Sequence, residues 1–175
     1  PAFVPEDDVL AVFQPDAGVL AADRALLAAQ RRAADLGAEI RFEAPLTRLE
    51  PDGPGVRAVS ASGATWSADA AVVAAGPWLA EGPLALDAPL WIEQQQVLYL
   101  AAPAGPEHGA AAMPVFIDRD TDTYGMGRLE HPAAIKVSDH SGAPTIRLSE
   151  RAERPDEARA GATEARVRRL LPRVG

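Results

Sequence analysis

Hydrophobic positions change their spacing along this chain, and each spacing predicts a different element. The run Val9-Leu10-Ala11-Val12-Phe13 predicts a short strand, closed by the turn Gln14-Pro15-Asp16-Ala17-Gly18. From Asp23 to Leu36 the pattern becomes helical. Leu26, Leu27, Ala33, Ala34 and Leu36 share one face, Asp23 is placed as N-cap, and Gly37 supplies the stop. Residues 38–42 predict another strand. Three short strands follow at 46–50, 56–60 and 64–67, and the turn residues between them predict an antiparallel meander. Residues 69–75 (Asp-Ala-Ala-Val-Val-Ala-Ala) are apolar without alternation, as in a strand buried on both faces. Gly76-Pro77-Trp78-Leu79 ends that run, and Pro77 suits the first turn of a short helix.

Beyond Pro83 the texture changes. A strand at 93–101 leads into a loop rich in Pro, Gly and Ala over 102–114. Strands at 115–118, 121–126 and 133–139 predict an antiparallel sheet, and a helix within 155–171 ends at Pro172. The order predicts two layers of different character, α/β-like first and α+β afterwards, joined near residues 76–83.

Composition narrows the function. Hydrophobic residues make up 47% of the chain, which supports a packed core. The net charge of −8, spread along the chain, argues against a nucleic-acid partner. The basic cluster Arg166, Arg168 and Arg169 reads as a solvated helix face. Without cysteine there is no disulfide, thiolate metal site or cysteine nucleophile within these residues. That fits a reducing, cytoplasmic setting. No apolar run is long enough to span a bilayer, and no signal peptide is visible. The first residue is Pro1 rather than Met, so a chain cut from a longer one is expected.

One lysine, Lys136, stands against sixteen arginines. Biased codon usage is one explanation. The other is that this position needs an amine, which can lose its proton as guanidinium cannot. In Lys136-Val137-Ser138-Asp139-His140, positions 136 and 140 point to the same face of a strand. Together they could bind an anion or stabilise a developing one, and Tyr124 on the preceding strand could present a phenol to the same space. Two surface polar residues and a packed tyrosine are the plainer reading. His108 and His131 read as surface residues. Asp118, Asp120 and Asp122 lack the glycine and glutamate of a calcium loop and read as a solvated turn, so no metal site is expected.

Several of these features, in this order, resemble the monomeric sarcosine oxidase group of D-amino-acid-oxidase-like FAD enzymes. They are Pro15-Asp16-Ala17-Gly18-Val19-Leu20, then the helix and Gly37-Ala38-Glu39-Ile40, then the strand closing on Gly76-Pro77-Trp78. Gln95-Gln96-Val97, Tyr124-Gly125 and Lys136 to His140 complete the set. The resemblance implies a partial FAD-binding domain over 17–82, with a mixed sheet, a helix and the meander. It also implies a substrate domain over 1–16 and 83–175, an antiparallel sheet with a flanking helix. Leu46, Gly76, Pro77 and Trp78 would then border the cofactor. Lys136 would sit by the flavin ring and promote the reaction with oxygen, with His140, Tyr124 and Gln95 around a small amine or amino acid. The implied chemistry moves a hydride from the carbon beside the substrate nitrogen to the flavin, and electrons from there to oxygen.

The Gly-x-Gly-x-x-Gly turn of a dinucleotide site is absent from these residues, Gln95 stands where the family often has arginine, and the spacing from Tyr124 to Lys136 carries an extra residue. A non-catalytic ligand-binding or structural α+β domain that does not hold FAD by itself is therefore the alternative.

Overall fold

Residues 2–5 and 8–174 are described in a computed structural model. In chain order they form α1 (Ala22–Asp35), β1 (Leu46–Asp52), β2 (Gly55–Ser60), β3 (Thr65–Ala68), α2 (Trp78–Glu81), β4 (Ile92–Glu93) and β5 (Leu98–Ala101). There follow β6 (Phe116–Asp118), β7 (Thr123–Met126), β8 (Ala134–Asp139), β9 (Thr145–Ile146) and α3 (Glu157–Leu170). Two compact units divide the chain. One comprises Pro1–Ala28, Gln95–Pro144 and Ala152–Gly175, and the other Ala29–Gln94 and Thr145–Arg151.

The second of these holds the predicted meander, with β1, β2 and β3 pairing antiparallel in that order. The short strands β4 and β9 form a separate antiparallel pair. Alternation and turn residues were sufficient here, because a meander finds its partners nearby in sequence.

Three predicted strands do not form. Residues 9–13, 38–42 and 69–75 are extended or irregular and take no part in a ladder. Val72, at the centre of the run expected to be buried on both faces, is 95% exposed, and Leu10 and Val12 are nearly as open. An apolar run becomes a strand only where other segments accept its backbone hydrogen bonds. Among the described residues none does so for these three. The mixed sheet expected of the first layer is accordingly not seen, and all pairs of named strands are antiparallel.

Helix α1 matches its prediction to within a residue and ends as expected. Gly37 has φ +89°, Gly37 N donates to Ala34 O, and Ala38 N donates to Ala33 O, the paired bonds of a glycine-terminated helix. Its apolar stripe is left open, with Leu26, Leu27 and Leu36 all exposed.

In the other unit, one sheet is built in the order β5-β8-β7-β6, antiparallel throughout. The strand predicted over 93–101 is broken, and only Leu98–Ala101 joins this sheet, against β8. Helix α3 starts on Asp156, whose side chain accepts from Arg159 N at 3.0 Å. It buries Thr163 and Val167, one turn apart. Val167, with Leu171 beyond the helix end, meets Ile135 and Val137 of β8 and Leu100 of β5, with Met113, Val174 and Ala2 closing the core. Burial of each such large side chain contributes about 1.5–3 kcal/mol. The core therefore occupies one face of the sheet and leaves the other face to the side chains described next.

Candidate functional site

Strand β8 sorts its residues by alternation. Ile135 and Val137 point into the core, fully buried, so Lys136 and Ser138 point to the opposite face. Register then decides which side chains join them. Tyr99 of β5 and Met126 of β7 lie opposite Lys136, and Tyr124 lies opposite Ser138. His140, one residue past the strand, stacks on Tyr124 with ring centroids 4.4 Å apart. Its backbone N donates to Asp122 O at 3.0 Å. Lys136, Tyr124 and His140 thus share one face, as the four-residue spacing led us to expect.

Gly125 makes this arrangement possible. A Cβ there would lie 2.7 Å from the Phe116 ring and 2.9 Å from the Lys136 carbonyl oxygen, so only glycine lets β7 pack between β6 and β8.

Two further residues, not singled out from sequence, complete the group around Lys136. Its Nζ donates to both oxygens of Glu130, at 2.9 and 3.0 Å. The Tyr99 hydroxyl donates to Glu130 Oε2 at 2.6 Å. Hydrogen bonding to Glu130 holds the Lys136 ammonium above its ordinary pKa, against the pull of partial burial. Lys136 is therefore held protonated, the reverse of an amine tuned to lose its proton. The same two bonds, from Tyr99 first and Lys136 second, lower the pKa of Glu130. The bond to Glu130 also raises that of Tyr99. Tyr99 was legible as an outward position on a strand, whereas Glu130 lies in the β7–β8 turn, where no spacing rule applies.

A second polar group fastens the far end of β8. Asp139, 4% exposed as a side chain, accepts from Arg159 Nη2 at 2.6 Å and from the Thr163 hydroxyl, both on α3. Burial alone would raise its pKa. The bonds from Thr163 and Arg159 and the charges of Arg159 and Arg166 outweigh it and hold the carboxyl below its ordinary value. Arg159 also donates to Gln95 Oε1 at 3.0 Å and to Ser141 O at 3.2 Å. Gln95 is thus placed beside the Asp139 group. Its neighbour Gln96 accepts from Ser138 Oγ through its carbonyl at 2.7 Å and brackets the backbone of Asp156 with its amide.

The remaining candidates lie in the other unit. Leu46 and Trp78 line an apolar cleft of about 620 Å³ together with Leu49, Ala58, Val73 and Leu84. Gly76 and Pro77 are exposed and stand outside that lining. Gly76 takes φ +54° with open space around it, a conformation that suits glycine, and Pro77 is the N-cap of α2. Two surface expectations also need revision or find a cause. His108, expected at the surface, is fully buried in a 3-10 turn. Arg128 donates to the carbonyls of Pro103, Ala104 and Gly105, and its backbone N donates to His108 O at 2.7 Å, so the 102–114 loop that carries His108 is fastened to Arg128. Asp118 caps its own turn, accepting from Asp120 N and from the Thr121 hydroxyl. Among the described residues no helix is long and apolar enough to cross a membrane.

Comparison with known proteins agrees with this architecture. The chain is 29% identical over 140 residues to a monomeric sarcosine oxidase of Streptomyces avermitilis, covering 75% of this chain and 35% of that protein. It is 36% identical over 81 residues to an N-methyl-L-tryptophan oxidase of Yersinia pestis, covering 46% of this chain and 22% of the relative. The chain therefore spans about a third or less of the length of these relatives. The open form of NikD, described as an unusual amino acid oxidase essential for nikkomycin biosynthesis, superposes with a TM-score of 0.65 at 22% identity. The match covers 87% of this chain and 41% of NikD and shows a shared fold. The sequence pattern of the FAD dependent oxidoreductase family, DAO, matches residues 1–175 in full, and this chain belongs to that family.

Proposed function

We propose that this chain is part of an FAD-dependent oxidoreductase that oxidises a secondary amine or amino acid. In this reading residues 17–82 contribute to the cofactor domain, and residues 1–16 and 83–175 form most of the substrate domain. The observation that carries the reading is the shared face of Lys136, Tyr124 and His140 on the four-stranded sheet, in a chain of this family.

The residues present fit one end of the cofactor. A half-buried ammonium and a flat aromatic pair on one face suit a planar, electron-accepting ring. Within the 175 residues no glycine-rich turn offers a cradle for the pyrophosphate. FAD, when bound, would supply the hydride acceptor and the route of electrons to oxygen. The protein's part is position and field. Lys136 supplies a fixed positive charge where negative charge develops, and its raised pKa keeps that charge in place at neutral pH. His140 and Tyr124 border the substrate and orient its nitrogen. Gln95 is tied to Arg159 of α3, on the core side of the sheet with Asp139, and is left out of the group assigned to the substrate.

The deciding experiment is Lys136→Met in the full-length protein. Flavin reoxidation by oxygen, followed by stopped-flow absorbance, is expected to slow by at least about a hundredfold. An unchanged rate rejects the assigned role.

A further inference from the structure

Glu130 has no place in the resemblance on which the reading of Lys136 rests, yet it is the side chain most closely joined to that lysine. Both of its oxygens accept from Lys136 Nζ, at 2.9 and 3.0 Å, and one also accepts from the Tyr99 hydroxyl at 2.6 Å. Tyr99 lies directly opposite Lys136 in the β5–β8 register, so two strands and the β7–β8 turn converge on one carboxylate. We propose that Glu130 is a positioning residue that holds Lys136 as half of a neutral ion pair, and so attenuates the field the lysine offers to the open face of the sheet.

The physical reason is elementary. A lone ammonium acts as a full charge, whose influence falls with the first power of distance. An ammonium with a carboxylate 2.9 Å away acts as a dipole, and its influence falls faster. The Tyr99 hydroxyl occupies a lone pair of Glu130 and fixes the plane of the carboxylate, so the partner cannot swing away cheaply. The side chain of Lys136 is 25% exposed and that of Glu130 36%, so water weakens the pairing without abolishing it. The titratable groups acting on the ammonium are Glu130, Tyr99 and Tyr124, and of these only Glu130 is a carboxylate. The attenuation therefore has a single source that can be removed.

This inference rests on the reading of Lys136 given above, and the test separates the two. In the full-length protein carrying FAD, Glu130→Gln, Glu130→Asp and Lys136→Met are compared by two measurements. One is the pH midpoint for acylation of the Lys136 amine by acetic anhydride, read by peptide mass spectrometry. The other is the rate of flavin reoxidation by oxygen. Glu130→Gln is expected to move the acylation midpoint to lower pH and to speed reoxidation on the order of tenfold. Glu130→Asp, which keeps the charge, is expected to return both toward the unsubstituted protein, which guards against a simple folding defect. If Glu130→Gln leaves the midpoint in place, or fails to speed reoxidation while Lys136→Met slows it, the attenuation is overturned and the role of Lys136 survives. If Lys136→Met leaves reoxidation unchanged, both fall.

Discussion

The imidazole of His140 lies on the ring of Tyr124, centroids 4.4 Å apart and planes 23° from parallel. The pair is held from two sides, by the β7–β8 register that sets Tyr124 opposite Ser138 and by the bond from His140 N to Asp122 O. Stacked rings of this kind are worth about 0.5–1.5 kcal/mol beyond their buried area. On the proposed reading of the site, Tyr124→Leu is expected to raise KM for a secondary-amine substrate about three- to tenfold, with a smaller change in kcat. Tyr124→Phe, which keeps the ring, is expected to change KM less. Steady-state kinetics of the full-length protein checks both.

Asp139 joins β8 to α3 through a buried, charge-assisted contact with Arg159 and a hydrogen bond from Thr163. Asp139→Asn removes the buried carboxylate that Arg159 and Arg166 face and is expected to cost about 3–5 kcal/mol at neutral pH. The folded-state pKa of Asp139 lies below its unfolded value. Its contribution is thus complete above the ordinary carboxylate range and is lost as pH falls through the folded value. Urea denaturation of both proteins at pH 7 and near pH 3 is expected to show the gap closing in acid.

Gly125 admits no side chain. Gly125→Ala brings a methyl group within 2.7 Å of the Phe116 ring and 2.9 Å of a strand carbonyl. The ring can shift, but the backbone of β8 yields less readily. The expected cost is about 1–3 kcal/mol, measured as a lower denaturation midpoint at an unchanged slope.

Arg128 fastens the 102–114 loop through three backbone carbonyls. Arg128→Met keeps the stem of the side chain and removes these bonds. Amide exchange in residues 103–109 is expected to quicken by about tenfold or more, while strands β7 and β8 hold their protection. Hydrogen-exchange mass spectrometry distinguishes this local loosening from global unfolding.

Much of the architecture was legible because it depends on neighbours in sequence. The meander at β1–β3, helix α1 with its Gly37 stop, the strands β6–β8 and helix α3 follow from alternation, helical spacing and turn residues. The shared face of Lys136 and His140 followed from the two-residue period of a strand. Glu130 and Arg159 were not legible. Each reaches its partner through a turn or from another element, and neither obeys a spacing rule.

The sequence by itself determined the family, the local elements of both units and the side of β8 on which the lone lysine stands, since these rest on motif order and on short-range periodicity. Tertiary structure alone decided that Lys136 is held as an ion pair with Glu130, that His108 is buried within a loop fastened by Arg128, and that residues 69–75 remain outside any sheet. The physical reason is the same in each case. A hydrogen bond, a covered ring or a strand ladder requires a partner, and partners distant in sequence are chosen by the packing of the whole chain.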